Sequence, residues 1–131
     1  MAKPRVVIDT SVLVEFLRGS RSASAAEAER LIRLDRAVLC GMVRTELLAG
    51  ARNKDDRRAL DDALSGLHYL EMSVPAWTRA GDWAAALRAR GRTVPVSDLV
   101  VAALAAEHDC PVLTNDRHFQ FVPGLTLHQP E

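Results

Sequence analysis

The chain has 131 residues, 48% hydrophobic and 26% charged, the balance of an ordinary globular protein and a length that predicts one domain over residues 1–131. Its 17 basic and 17 acidic residues cancel, which excludes a strongly basic nucleic-acid clamp and an acidic disordered tail. An enzyme whose charges are arranged locally is still allowed.

In chain order, short apolar runs at 6–8, 37–40, 67–72 and 111–113, with a weaker one at 125–127, predict strands. Between them, segments 24–34, 42–51, 55–64, 75–90 and 97–107 carry helical patterning, and Pro75 stands where proline favours a helix start. Alternating strands and helices, with the central strands apolar on both faces, predict an α/β fold around a mainly parallel sheet. The apolar segment 5–17 is interrupted by Asp9 and Glu15 and is followed by no small-residue cleavage site. No run reaches the roughly eighteen apolar residues a membrane span needs, so the expectation is a cytoplasmic protein. Cys40 and Cys110 form no metal-type spacing and read as buried small hydrophobes.

Carboxylates separate into groups by their neighbours. Besides Asp9, whose Arg5 lies across the first strand rather than along a helix, eight acids (Glu15, Glu27, Glu29, Asp55, Asp56, Asp61, Asp62 and Asp82) have a cation three or four residues away, the spacing of a solvated, ion-paired helix face. Five more (Asp35, Glu71, Glu107, Asp109 and Glu131) fall at element ends or the terminus. Asp9, Glu46, Asp98 and Asp116 are left, each in or beside apolar sequence, where an unpaired charge is costly.

Asp9 follows the first strand, Glu46 lies on the helix after the second, and Asp116 follows the strand at 111–113. In a parallel sheet the strand carboxyl ends share one edge, where ligands bind. Asp98 joins them if its helix, apolar all round over 99–106, begins at that edge. Converging carboxylates repel unless a cation lies between them. Oxygen ligands without Cys or multiple His select Mg²⁺ or Mn²⁺, a site able to activate water and hydrolyse a nucleic-acid backbone. Each acid also has a structural reading. Ser97 and Asp98 form a good helix N-terminus, with Ser97 as cap, Asp9 and Asp116 suit caps or turns, and Glu46 suits a distant Arg.

The motifs Val-Ile-Asp9-Thr-Ser-Val-Leu, Arg-Thr-Glu46-Leu-Leu-Ala-Gly, Val-Ser-Asp98-Leu-Val-Val-Ala-Ala-Leu and Leu-Thr-Asn-Asp116-Arg-His-Phe resemble, in order and spacing, PIN-domain ribonucleases. The short length is similar to the VapC-type toxins of bacterial toxin–antitoxin pairs. The resemblance implies a three-layer α/β/α sandwich around a mainly parallel sheet of four to five strands. It implies Mg²⁺, with Mn²⁺ able to substitute, held by Asp9, Glu46, Asp98 and Asp116, and endonucleolytic cleavage of structured RNA (tRNA, rRNA or mRNA). It also implies a homodimer and a small antitoxin protein that blocks the site. Ser11 and Thr114 match hydroxyl positions that orient the carboxylates, and Phe119 matches an apolar packing position. A housekeeping RNA-processing nuclease shares these motifs.

Arg88, Arg90 and Arg92 precede the loop leading to Asp98 and read either as phosphate contacts or as cations suited to a helix C-terminus. Arg117 beside Asp116 reads as a phosphate contact or as a damper of acid repulsion, and His118 as a surface histidine. Trp77 and Trp83 read as core or dimer packing, and the stretch around Ala80, Gly81, Ala84 and Ala85 as a smooth face for the sheet or a second subunit. The 52–62 segment reads as a salt-bridged face without function. A phosphoacceptor or phosphatase domain with Asp9 as nucleophile fits badly: Ser11 stands where a second Asp is wanted, and Lys54 lies in a charged helix.

Overall fold

The computed structural model describes residues 3–130; Glu131, read above as a terminal acid, lies outside them. The element order is β1 (Val6–Ile8), α1 (Thr10–Leu17), α2 (Ala23–Arg33), β2 (Ala37–Leu39), α3 (Gly41–Ala49), α4 (Lys54–Leu64), β3 (His68–Tyr69), α5 (Val74–Ala89), α6 (Val96–Glu107), β4 (Val112–Leu113) and the 3₁₀ turn η1 (Arg117–Phe121). The four strands form one parallel sheet in the order β3-β2-β1-β4, flanked by six α-helices. The expected α/β/α architecture is therefore present, and the weak fifth strand reduces to one parallel bridge between Leu127 and Val112.

Val6, Val7 and Ile8 are fully buried, as the central strand of a sheet covered on both faces must be. Val7 lies opposite Val38 on one side and Val112 on the other. The carboxyl ends of β1 and β4 are thereby adjacent, with the Asp9 N–H donating to the Leu113 carbonyl at 3.0 Å. Helix α6 is buried from Leu99 through Ala105, as its unbroken apolar sequence requires, and α5 packs along it. The smooth face expected of α5 is only partly used: Ala80 is buried, while Gly81 and Ala85 are exposed.

The structure departs from expectation in four places. Helix α1 follows Asp9, one of the candidate caps, but its apolar, β-branched run carries no helical patterning. Its N-cap is Asp9, which makes no side-chain cap bond. The strand expected at 67–72 shrinks to His68–Tyr69, because Ser73 already caps α5, its side chain accepting from the Ala76 N–H. Helix α6 starts at Val96 behind Pro95, so Ser97 is not its cap. Glu27, assigned to a solvated face, is 3% exposed. Its carboxylate takes two bonds from Arg30, at 2.7 and 2.9 Å, and lies 2.6 Å from His128 Nε2. The two thiols are buried, and burial pushes both Cys40 and Cys110 above the ordinary thiol range, which fits unreactive packing residues.

Candidate metal-dependent active site

Three elements deliver carboxylates to the carboxyl edge of the sheet. Asp9 caps α1 directly after β1 and is 4% exposed. Its Oδ2 accepts from Ser11 Oγ at 2.8 Å and from Thr114 Oγ1 at 2.8 Å. Those hydroxyls are themselves held: Ser11 Oγ accepts from the Asn115 N–H at 3.0 Å and Thr114 Oγ1 from the Asp116 N–H at 2.9 Å. Two hydroxyls expected to orient carboxylates thus bind one oxygen of Asp9 and tie the loop after β4 to the loop after β1.

Asp116 caps the turn η1, its Oδ1 accepting from the His118 N–H at 2.9 Å. The same oxygen lies 2.7 Å from His118 Nδ1. Asp98 stands in the first turn of α6. Oxygens of Asp98 and Asp116 and a ring nitrogen of His118 all fall within 4.8 Å of one another. Asp98 makes no capping bond, and its buried Oδ2 has no hydrogen-bond partner. An orphaned carboxylate oxygen beside a second carboxylate is a costly arrangement, relieved by a cation. The donor set, hard oxygens with one imidazole, fits a small divalent ion.

The electrostatics agree. Burial, the adjoining Asp116 carboxylate and the charge of Asp9 push the Asp98 carboxyl up to about 7, with His118 opposing. Burial also acts to raise Asp116, but the His118 N–H, the adjoining Asp98 carboxyl and the imidazole hold it below its usual value. Opposite shifts on two adjoining carboxyls mark a close pair.

Glu46 lies apart. It is exposed on the second turn of α3 and accepts from Thr10 Oγ1 at 2.9 Å, forming a rim next to the group rather than part of it. The candidate substrate residues Arg88, Arg90, Arg92 and Arg117 are all exposed. Arg92 lays its guanidinium over the Phe121 ring, 4.0 Å from the centroid, so the loop before α6 rests on the turn that carries Asp116. Phe119 is 1% exposed, the packing role expected of it. Trp77 is 51% exposed and belongs to no core, whereas Trp83 packs against the core under Arg79.

Two residues escaped the sequence reading. His118 is half-exposed and faces both Asp116 and Asp98, the latter at 3.7 Å; its place two residues after a turn-capping Asp was the available signal. Thr10 was passed over because its partner Glu46 is 36 residues away.

A PIN domain family model matches residues 6–125. The chain is 30% identical over 125 residues to the VapC ribonuclease Mb1587 of Mycobacterium bovis, covering 92% of this chain and 93% of that protein. It is 32% identical over 120 residues to ribonuclease VapC19 of Mycobacterium tuberculosis, covering 91% and 95%. The fold is similar to VapBC2 from Rickettsia felis bound to a promoter DNA fragment, with a TM-score of 0.80 at 22% identity over 94% of this chain and 96% of that one. With a parallel sheet that gathers acids from both ends of the sequence, and a family model spanning nearly all of it, the chain belongs to the PIN-domain family.

Proposed function

We propose that this chain, acting as a single nuclease domain, is a divalent-metal-dependent endoribonuclease and the toxin of a toxin–antitoxin pair. The observation that carries the reading is the orphaned Oδ2 of Asp98 beside Asp116, a pair of acids that gains from a cation. The relatives named VapC ribonuclease support RNA as the substrate, and the similarity to VapBC2 supports an antitoxin partner. We take the working form to be a cytoplasmic homodimer; no helix of the described residues is long and apolar enough to cross a membrane.

Asp9, Glu46, Asp98 and Asp116 would hold the ion, Mg²⁺ with Mn²⁺ able to substitute. Bound there, it would supply Lewis-acid activation of water and of the phosphodiester. The protein's part is positional. Ser11 and Thr114 fix Asp9 through one oxygen, Oδ2. His118 fixes Asp116 the same way. Arg88, Arg90, Arg92 and Arg117 supply phosphate contacts that hold the strand across the acids.

The test is cleavage of total cellular RNA by purified wild type and Asp98→Asn, in Mg²⁺ or Mn²⁺ against EDTA. Discrete metal-dependent fragments, absent with the variant, are expected. Folded, metal-loaded, partner-free wild type that leaves RNA intact overturns the reading.

A further inference from the structure

The segment 52–62 was set aside above as a salt-bridged face, but its cations do not behave as one. The junction of α3 and α4 forms a bowl of about 580 Å³ whose lining includes Arg52, Lys54, Arg57 and Arg58, with Asp61 as its one carboxylate. Asp61 is already engaged, by Arg57 at 3.1 Å and Arg44 at 3.4 Å. Asp56 is turned to the helix start, where its carboxylate accepts the Arg52 N–H at 3.3 Å and its own N–H donates to Asn53 Oδ1 at 2.8 Å. Among the described residues, no carboxylate comes within 4.0 Å of the charged groups of Arg52, Lys54 or Arg58. Arg58 and Asp62, four apart on α4, do not pair. Three exposed cations therefore share a concavity without a counter-ion from the protein.

The bowl adjoins the acidic edge. Ala51 lines both the bowl and a neighbouring groove of about 420 Å³ whose lining includes Thr10 and Glu46, the hydrogen-bonded pair at the rim of the site. A polyanion approaching converging carboxylates is repelled, and phosphate binding then depends on cations that flank them. Arg92, over the Phe121 ring, flanks the turn that carries Asp116; on the Glu46 side the groove lining adds one cation, Arg18.

We infer that the Arg52–Lys54–Arg58 bowl is a docking site for backbone phosphates of the RNA strand that leaves the acidic edge past Glu46. The inference rests on the ribonuclease reading above. Phosphate docking carries no sequence information, so the bowl sets affinity and register rather than the base at the cut.

The test measures binding of a labelled single-stranded RNA oligonucleotide by anisotropy, in EDTA to prevent cleavage, across a KCl titration. Each phosphate contact on a single strand contributes about 0.7 to the slope of log affinity against log salt. Arg52→Gln/Lys54→Gln/Arg58→Gln is expected to lower the slope by about 2, and Arg52→Lys/Arg58→Lys to retain it. All three side chains are exposed, so neutralising them removes no packing. An unchanged slope in the folded triple variant overturns the inference. If the wild type still cuts RNA, the bowl alone fails; if it neither binds nor cuts RNA, the ribonuclease reading fails with it. A polyglutamate peptide is run in parallel. Peptide binding lost in the triple variant while the RNA slope stays unchanged reassigns the bowl to an acidic protein segment and also overturns the inference.

Discussion

Thr114 Oγ1 donates to Asp9 Oδ2 at 2.8 Å across 105 residues of sequence, and with Ser11 Oγ on the same oxygen it fixes how Asp9 faces the site. Groups that orient a ligand typically contribute 10–100-fold in metal affinity or activity. Thr114→Val, close in volume, is therefore expected to weaken Mn²⁺ binding by about 10-fold or more, and Ser11→Ala similarly. Isothermal titration with Mn²⁺ on folded protein checks this. Equal wild-type and variant affinities would remove the two hydroxyls from the site.

Asp98→Asn is expected to stop cleavage while leaving the metal-free protein as stable as wild type or more so. The side chain makes no capping bond, so none is lost, and the amide relieves a repulsive carboxylate pair. Thermal melts in EDTA report stability, and RNA cleavage reports activity. A variant that melts well below wild type would show Asp98 to be structural.

The Asp98 carboxyl, about 7 in the folded chain against 3.8 ordinarily, predicts how pH acts without metal. A raised folded value means that the folded state binds the proton more tightly. Its stabilising contribution is complete below 3.8 and disappears as pH rises through about 7. Metal-free wild type should thus lose stability over this window relative to Asp98→Asn, and Mg²⁺ should restore it. Denaturant midpoints at pH 5 and pH 8 for both proteins, with and without Mg²⁺, measure the difference.

Glu27 titrates with the opposite sign. Its bonds from Arg30 outweigh burial and, with His128, lower its carboxyl from 4.5 to about 2. A lowered folded value stabilises above 4.5, and the contribution is lost as pH falls through about 2. Removing one partner of a buried ion pair typically costs 3–5 kcal/mol, so Glu27→Gln should destabilise by about 3 kcal/mol at neutral pH, the deficit narrowing in acid. Urea midpoints for wild type and variant between pH 7 and pH 2 test both the size and the trend.

What was legible in the sequence followed from local rules. The strand runs, the buried α6 and the acids beside apolar residues all carry their signal within a few positions. Asp9 and Asp116 come to one edge because a parallel sheet aligns strand ends, and Asp98 joins Asp116 from the first turn of α6. Partners set by tertiary contact were not legible. Arg30 lies three residues from Glu27, the spacing of a surface pair, and it took His128, 101 residues away, to bury the group. Helix α1 was hidden because Asp9, its N-cap, uses its carboxylate on Ser11 and Thr114 instead of the helix. Arg52, Lys54 and Arg58 were hidden by abundant nearby acids, of which Asp56 and Asp61 are engaged elsewhere.

The central strand β1 is made early in synthesis, yet one of its two neighbours is β4, and the hydroxyl and carboxylate that complete Asp9's surroundings sit at Thr114 and Asp116. Contacts of such sequence separation form only after the intervening chain is available. A growing polypeptide that has displayed Asp9, Glu46 and even Asp98 therefore still lacks the arrangement that would let it cut. Until residue 116 leaves the ribosome, the Asp98–Asp116 pair cannot form.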